Sequence, residues 1–251
     1  MANFRRKNTL CLSLSVLILS MMITVSVFLL SPTGMDARAQ EIEKNFSKVE
    51  STIDDIDLSN IRASSDTKVL LNESKELAGI GIGGIPLLME KLESGNMREG
   101  YKVAFYIEGL YTLLAIDRMD ILLNPEYFDE SSAIHPEYAG IKKLMQESKT
   151  AIPAIMASPQ PVEDKLEALS KYGVLSVPYI NAQIKNGENG YAAYFTHIGL
   201  QYTPEERVDL AAGKRGVFDE LPDDKTDFTY EEWNTANRYD LEILSSYIDR
   251  I

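Results

Sequence analysis

The sequence has 251 residues, of which 45% are apolar, 25% charged and 9% aromatic, as in an ordinary folded protein. Its formal net charge of −13 argues against non-specific binding to nucleic acid, which depends on lysine and arginine neutralising phosphates. A single cysteine, Cys11, excludes a disulfide framework and cysteine-based metal sites, and two histidines, His135 and His197, leave little for histidine-based ones. We therefore expect a globular domain with no metal and no cofactor.

The N-terminal segment has the pattern of an export signal. Basic residues from Arg5 to Lys7 precede 22 uncharged residues, Thr9 to Leu30, which as a helix would extend about 33 Å and span a bilayer core. This order predicts a cytoplasmic N-terminus, with the rest of the chain outside. Ala37-Arg38-Ala39 has the small-x-small form of a signal-peptidase site, yet the apolar run exceeds the ~7–15 residues usual in a signal peptide. Residues 1–39 are thus either a signal peptide cleaved after Ala39 or a retained membrane anchor.

The part of the chain after residue 39 is strongly acidic, with 21 Lys and Arg against 37 Asp and Glu. This charge favours solubility, and it would also attract cations or basic partners outside the cell. Two acidic clusters, at 54–57 and 219–227, lack the Asp-x-Asp-x-Asp-Gly spacing of a calcium-binding loop. We interpret both clusters as solvated loops, with calcium binding as the alternative.

Residues 40–65 are predicted to form an amphipathic helix and a linker. Apolar side chains recur at spacings of 4, 3, 4 and 3, which places them in one narrow stripe: Ile42, Phe46, Val49, Ile53 and Ile56. Such a stripe needs a partner. Packing against the domain that follows is the favoured interpretation, and a short self-associating coiled coil near the membrane is the alternative.

An internal repeat organises the exported domain. Leu77–Pro86 matches Leu169–Pro178 at an offset of 92 residues, with Leu-x-x-x-Gly-x-x-x-Ile/Val-Pro in both runs. Gly100–Leu110 matches Gly190–Leu200 at an offset of 90, with Gly-Tyr-x-x-x-Phe-x-x-x-Gly-Leu in both. A weaker copy of the first half occurs at Leu144–Met156. Agreement of this kind indicates one supersecondary unit that is used more than once.

Each unit is predicted to be a pair of antiparallel helices. Proline is tolerated in the first helical turn, so Pro86 and Pro178 should begin helices that run to about Leu92 and Ile184. The second helix of each unit carries tyrosine, phenylalanine and glycine four residues apart on one face, and the glycine would let a neighbouring helix approach closely. We expect the two phenylalanines, at 105 and 195, in equivalent buried positions.

These residues resemble the HEAT-like repeat family. Gly81–Leu92 resembles the first helix of such a repeat, and Tyr101–Ala104 stands where a Val-Arg-x-x-Ala run is common. The second unit departs from the family, since Ala192 replaces the basic position and the spacing of units is irregular. The resemblance covers residues 66–202. It implies a curved stack of helix pairs that binds partners, and it implies no catalytic residues.

Residues 203–251 are predicted to be helices that cap the open end of the stack. Thr203–Glu206 and Thr229–Glu232 each combine a capping threonine with a glutamate three residues later, which is typical of a helix start. One C-terminal helix should run from about 230 to 250. No segment shows the alternating pattern of a half-buried strand, so the fold class is all-α, an irregular helical solenoid behind an N-terminal signal or transmembrane helix.

The search for catalytic chemistry gives mainly negative results. His197 aligns with Ile107 in the repeat and is expected to be a partly buried structural residue, and His135 is expected to be a solvated loop residue. The glycine-rich run Gly79–Gly84 lacks the lysine of a phosphate-binding loop, so we interpret it as a flexible joint between two helices. No catalytic residue is assigned.

The sequence therefore favours an exported, non-enzymatic protein-interaction module whose partner is a protein or another ligand of the cell envelope. The alternative is an extracytoplasmic all-α hydrolase with a carboxylate site. Tyrosines on the second helices are the candidate binding residues, because tyrosine supplies rigid contact area with a polar end, although filling the seams between helices is their other possible role. These candidates are Tyr106, Tyr111, Tyr194 and Tyr202.

Overall fold

The structure, a computed structural model, describes residues 34–55, 74–94, 101–128, 134–213 and 228–251, together with 130 and 132. These residues form helices and turns and contain no β-strand, so the prediction of an all-α fold is confirmed. Their α-helices, in chain order, are α1 Gly34–Asp54, α2 Ile85–Glu93, α3 Tyr101–Leu114, α4 Arg118–Leu122, α5 Pro136–Ala157, α6 Val162–Ser170, α7 Val177–Lys185, α8 Ala193–His197, α9 Pro204–Gly213, α10 Tyr230–Ala236 and α11 Arg238–Ile248. Short 3₁₀ helices occur at Ile82–Gly84, Gly173–Ser176 and Asn189–Ala192.

Three features of the sequence fall outside the described residues: the apolar run Thr9–Leu30, Ile56 and the acidic cluster at 219–227. Within the part of the chain that the structure describes, no helix has both the length and the apolar character needed to cross a bilayer. Export and membrane attachment therefore stay predictions.

Helix α1 packs into the core of the unit that begins at Arg38. Its predicted stripe is buried at Ile42, Phe46, Val49 and Ile53, and all four side chains belong to the main hydrophobic cluster. The ring of Phe46 lies 6.4 Å from the ring of Tyr106, measured between centroids. The expectation that this stripe packs against the following domain is confirmed.

The first half of the repeat reappears in the secondary structure at the same offset of 92 residues. In each unit a glycine with positive φ, 91° at Gly81 and 49° at Gly173, leads into a 3₁₀ turn and then into a nine-residue helix. These helices are α2 and α7, and each has its proline in the first turn. The predicted helix starts are confirmed, because proline there forfeits no intrahelical hydrogen bond.

The second halves of the two units differ. Helix α3 continues for 14 residues, whereas its counterpart is a 3₁₀ turn followed by the five-residue helix α8. Gly109 stays inside α3, where a Cβ atom would lie 3.3 Å from the Cβ of Leu77. Gly199 instead adopts φ 73° just after α8 ends. The predicted full-length second helix is therefore wrong in the second unit, although Phe105 and Phe195 are both buried as expected.

The third copy of the repeat also differs from expectation. Its Pro153 lies inside the 22-residue helix α5, only four residues before the helix ends at Ala157. Pro86 and Pro178 lie at helix starts, so Pro153 has no equivalent position. Ile152, beside it, is buried. The short motif around Pro153 therefore does not distinguish the first turn of a helix from its last turn.

The glycine-rich run from Gly79 to Gly84 is closely packed, and its interpretation as a flexible joint is wrong. A Cβ atom on Gly81 would lie 2.5 Å from Asp240 Oδ2, and one on Gly83 would lie 2.5 Å from Ile42 Cδ1. The amide of Gly83 donates to Asp240 Oδ2 at 3.1 Å. Glycine is present here because two helices, α1 and α11, approach the backbone too closely for a side chain.

Arg38 and Asp240 join the first and last described helices through this glycine run. Arg38 Nε donates to Asp240 Oδ1 at 2.7 Å, and Nη2 donates to Oδ2 at 3.1 Å. Asp240 is only 2% exposed. The hydrogen bond to Asp240 outweighs the partial burial of Arg38 and raises its pKa. The result is a bidentate ion pair between residues that are 202 positions apart in the chain.

Candidate functional site

A cavity of about 370 Å³ lies between the segment leading into α9 and helix α10. Its lining comes from three stretches of chain, at 81–82, 200–207 and 228–237. Cavities of roughly 300–1,000 Å³ are the usual size for binding a small molecule or one end of a larger partner. Among the described residues, this cavity is our candidate site.

The lining of the cavity combines three aromatic side chains with other apolar groups and with polar and charged groups. Tyr202, Phe228 and Trp233 contribute rings, while Arg207 and Glu232 contribute charged groups. Tryptophan, tyrosine and arginine are the residue types that carry most of the energy in protein interfaces. The composition is therefore that of a binding surface with a defined polar contact.

Capping residues fix the starts of the two helices that form the cavity walls. The amide of Thr203 donates to Glu206 Oε2 at 2.7 Å, and the amide of Glu206 donates to Thr203 Oγ1 at 3.3 Å. At the start of α10, the amide of Glu232 donates to Thr229 Oγ1 at 3.3 Å. Both helix starts predicted from the sequence are confirmed. They orient Arg207 and Trp233 toward the same space.

The C-terminal region is two helices, where a single helix over about 230–250 was predicted. Asn237 separates α10 from α11 with φ −100° and ψ 11°, and its side-chain amide donates to the carbonyl oxygen of Trp233 at 2.9 Å. Asparagine competes in this way for backbone groups and so tends to interrupt helices. Because Ala236 and Asn237 line the cavity, this interruption helps to shape the site.

Trp233 is held in place by residues that do not line the cavity. Its ring meets that of Phe195 edge to face, with centroids 5.4 Å apart and planes at 69°. The neighbouring Asn234 exchanges two hydrogen bonds with Asn181 of α7, at 2.7 and 2.8 Å. A ring supported in this way loses little freedom when a ligand binds, which favours affinity.

Arg207 is the cation of the cavity wall, and its hydrogen bonds are incompletely satisfied. Its Nη1 donates to the carbonyl oxygen of Tyr202 at 3.3 Å. Its Nε is buried and has no hydrogen-bond partner. Burial lowers the pKa of Arg207 to about 10, and the nearby charge of Glu205 opposes this only in part. Buried polar groups are normally paired, so the unpaired N–H is an unfavourable feature of a residue that lines the cavity.

The four tyrosines predicted as binding residues lie in different environments. Tyr106 and Tyr194 are fully buried, Tyr111 is 5% exposed, and Tyr202 is half-buried and lines the cavity. The hydroxyl of Tyr194 donates to the carbonyl oxygens of Leu169 and Gly173, at 2.8 and 2.9 Å. A partner on the surface would not contact the buried rings. Binding through these tyrosines stays a prediction, with Tyr202 the best placed of them.

A charged network that no sequence pattern indicated surrounds Tyr111. Arg118 donates to both oxygens of Glu137, at 2.7 and 2.6 Å, and Tyr111 donates to Glu137 Oε2 at 3.0 Å. Arg118 also reaches Glu108 at 3.4 Å. Burial and the Glu137 carboxylate raise the pKa of Tyr111. Every one of these charges has a partner, so the network is suited to holding α3, α4 and α5 together.

A second network centres on Glu147 of α5. This carboxylate accepts hydrogen bonds from Tyr172 at 2.6 Å, from Lys171 at 3.0 Å and from Tyr127. Burial acts to raise the pKa of Glu147, but the three donors outweigh burial and lower it. The Lys171 ammonium stacks over the rings of Tyr127 and Tyr172, 5.0 and 5.1 Å from their centroids.

Two observations on the described part of the chain concern metal binding and acid catalysis. No group of three or more histidine, cysteine, aspartate or glutamate side chains there could hold a metal ion. Burial and the charge of Asp117 raise the pKa of Asp120, which lies on α4 and does not line the cavity. Glu232 is the carboxylate among the described lining residues.

Both histidines differ from their predicted environments. His197 is 38% exposed and lies 3.5 Å from the Glu167 carboxylate, because α8 ends at this residue whereas the longer α3 buries the aligned Ile107. His135 is half-buried at the start of α5, and its Nδ1 is buried without a hydrogen-bond partner. His197, which was expected to be a partly buried structural residue, is thus exposed to solvent. His135, which was expected to be solvated, is partly desolvated.

His135 should make stability depend on pH. Burial lowers its pKa and Arg118 adds to this effect, while Glu137 opposes it. A folded-state pKa below the unfolded value of about 6.5 means that the stability present above pH 6.5 is lost as the pH falls. Between pH 7.5 and pH 5, the unfolding free energy of the unmodified protein should fall more than that of His135→Gln, as measured by urea unfolding.

The comparison of these two proteins decides whether His135 is the cause. If His135→Gln loses as much stability on acidification as the unmodified protein does, the buried imidazole is not the cause.

Comparisons with protein families, with curated proteins and with solved structures gave no match. The function is therefore argued from the site itself.

Proposed function

We propose that this chain is a non-enzymatic, protein-binding module that is exported to the cell envelope, and that it binds its partner at the cavity beside Trp233. The observation that carries this proposal is the lining, where the rings of Tyr202, Phe228 and Trp233 border the same cavity as Arg207. Export is supported by the basic residues and the 22-residue apolar run at the N-terminus.

The helical architecture supports a binding role of the HEAT-like kind. The positive-φ glycine, the 3₁₀ turn and the proline-started helix occur twice at one offset, which is consistent with a short, irregular array of helical units. The cavity lies where the second unit meets the C-terminal helices. The binding site of this proposal is therefore at the end of the array, and only Tyr202 of the four candidate tyrosines contributes to it.

The content of the cavity favours binding over hydrolysis. Cleavage of a glycosidic bond requires two carboxyl groups that face each other across the substrate. Of the described lining residues, Glu232 alone carries a carboxylate, and Asp120, the acid with a raised pKa, lies on α4 outside the lining. We therefore place the hydrolase second.

Site-specific photo-crosslinking in cells tests this proposal. A benzophenone amino acid at Gln201 or Ala236, both on the cavity lining, should crosslink the full-length chain to one discrete protein of the cell envelope. The same amino acid at Lys149, exposed on α5, is the control and should not capture that protein. Equal capture from all three positions, or none from the cavity positions, would refute the proposal.

A further inference from the structure

The geometry points to a carboxylate next to an apolar side chain, as at the free C-terminus of a protein chain, as the group that the cavity binds at Arg207. This inference rests on the proposed function and names the chemistry that the partner must present. It depends on three observations, which are the unsatisfied guanidinium, the aromatic wall and the charge of the surrounding lining.

The guanidinium of Arg207 is poised to receive an anion. Its Nε is buried and unpaired, and its Nη1 donates to a neutral group, the carbonyl oxygen of Tyr202, 3.3 Å away. Leaving a charged group desolvated and incompletely paired is costly, and a carboxylate in the cavity relieves that cost through a charge-assisted hydrogen bond to the guanidinium. The planar donor pair of arginine matches a carboxylate better than it matches any neutral acceptor.

The surrounding charge selects a monoanion. Glu232 lies on the same lining, and Glu205 is close enough to Arg207 to affect its pKa. The chain as a whole carries a net charge of −13. Both acids repel any anion, but the repulsion of a doubly charged phosphate would be about twice that of a single carboxylate.

The aromatic wall selects what is attached to the carboxylate. Phe228, Trp233 and Tyr202 line the same space as Arg207, so an apolar group on the carbon next to the carboxylate would be buried against rings. The preceding peptide N–H of a protein C-terminus could donate to Glu232. Capture of terminal carboxylates is a recurrent way to recognise chain ends. A free amino-acid derivative offers the same chemistry, so the experiment includes both.

Trp233 gives a direct readout, because the chain has one tryptophan and it lines the cavity. The full-length protein in lipid nanodiscs is titrated with N-acetyl-phenylalanine and with N-acetyl-phenylalanine amide, while tryptophan fluorescence is recorded. We expect a saturable change with the acid and at least about tenfold weaker binding of the amide, since charged hydrogen bonds contribute more than neutral ones. The peptide Gly-Gly-Gly-Phe, with a free or an amidated C-terminus, forms the second pair of probes.

The two pairs of probes separate the sources of the carboxylate. Tighter binding of the free-acid peptide than of N-acetyl-phenylalanine supports a protein C-terminus. Equal binding of both acids assigns the site to small carboxylates and overturns the C-terminus as the partner. Equal binding of acid and amide, or no saturable change with any probe, overturns the carboxylate inference on the unmodified protein, without any variant.

Variants then assign the effect to Arg207. Arg207→Gln should abolish the preference for the acid over the amide. Arg238→Gln should keep it, because Arg238 is exposed and pairs with Glu242 at 3.1 Å outside the cavity. If crosslinking at Ala236 still captures an envelope protein while acid and amide bind equally, the proposed function stands and the carboxylate inference fails. If both experiments are negative, both fail.

A second inference rests on Arg38 and is independent of the cavity. We infer that the chain is not cut after Ala39, so that the N-terminal apolar segment stays attached to the domain. Arg38 belongs to the predicted signal-peptidase site, yet it donates two hydrogen bonds to the buried Asp240. Helix α1 also runs without interruption from Gly34 through this site.

Cleavage after Ala39 would remove a residue on which the fold depends. Asp240 would keep the hydrogen bond from the Gly83 amide but would lose the guanidinium that neutralises it. A buried carboxylate without its cation is strongly unfavourable. The contact therefore favours the retained anchor over the cleaved signal peptide, the two alternatives that the sequence left open.

Intact-mass measurement tests this second inference. The full-length chain with a C-terminal affinity tag is expressed in bacteria, and the cell membranes are washed with alkaline carbonate. We expect the tagged protein to stay in the membrane pellet with residues 1–39 present. A species that begins at Gln40, or full-length protein in the soluble fraction, would overturn the inference.

Discussion

Asp240→Ala should lower the free energy of unfolding by about 3–5 kcal/mol, the range found when one partner of a buried ion pair is removed. Asp240 is 2% exposed and accepts hydrogen bonds from Arg38 and from the amide of Gly83. Without the carboxylate, the amide of Gly83 loses its acceptor, and the partly buried guanidinium of Arg38 loses two hydrogen bonds and keeps those to Glu41 and to the carbonyl oxygen of Ile80. The loss should be larger than that from a surface ion pair, because water cannot replace the missing oxygens.

Urea unfolding of matched variants measures this loss. Glu242→Ala is the control, because it breaks the exposed Arg238–Glu242 pair in the same helix and should cost about 0.5 kcal/mol or less. Arg38→Ala and the double variant complete a cycle. A large coupling energy between Arg38 and Asp240 is expected. A loss for Asp240→Ala no greater than that for Glu242→Ala would show that the pair contributes no special stability.

The sequence predicted the helix starts well, because those signals are local. Thr203 with Glu206, and Thr229 with Glu232, are pairs three residues apart whose hydrogen bonds form wherever the helix lies. The stripe on α1 was predictable for the same reason, since its period depends only on helix geometry. Arg38 and Asp240 are 202 residues apart, and no local pattern could have paired them.

The repeat was a good guide to its first half and a poor guide to its second. Gly109 and Gly199 occupy matching positions in the sequence, but Gly109 is inside a helix and Gly199 has φ 73° after one. Glycine permits either conformation, so the residue type alone does not predict which one is adopted. The packing around each glycine decides which conformation it adopts. The exposure of His197 has the same origin, because α8 is shorter than α3 and leaves this side chain in solvent.

The cavity was not predictable because its parts are remote in sequence. Trp233 falls within the predicted C-terminal helix, and no sequence pattern marks either Trp233 or Arg207 as a binding residue. Arg207 and Trp233 line one cavity together with Ile82 and with Asn237, the residue that separates α10 from α11. The tyrosines of the second helices were predicted to bind a partner, but Tyr106 and Tyr194 are core residues.

Gly173 and Gly187 offer a matched test of how much close packing at a glycine contributes to stability. Both have positive φ, 49° and 94°, so alanine at either position is strained. Their surroundings differ completely. A Cβ atom on Gly173 would lie 1.9 Å from the carbonyl oxygen of Leu114, whereas one on Gly187 would meet nothing within 4 Å. Because φ 49° at Gly173 lies closer to the left-handed minimum than φ 94° at Gly187, a greater loss at Gly173 measures close packing rather than backbone strain.

Gly187→Ala should cost about 1–2 kcal/mol, the usual penalty of a left-handed conformation with a Cβ atom. Gly173→Ala should cost more than about 4 kcal/mol or prevent folding, because the Leu114 carbonyl belongs to rigid backbone and the start of the α7 unit would have to move. Circular dichroism during thermal and urea unfolding compares the two. Equal losses would show that backbone freedom alone explains Gly173, and that the units of the repeat are not packed as closely as the structure describes.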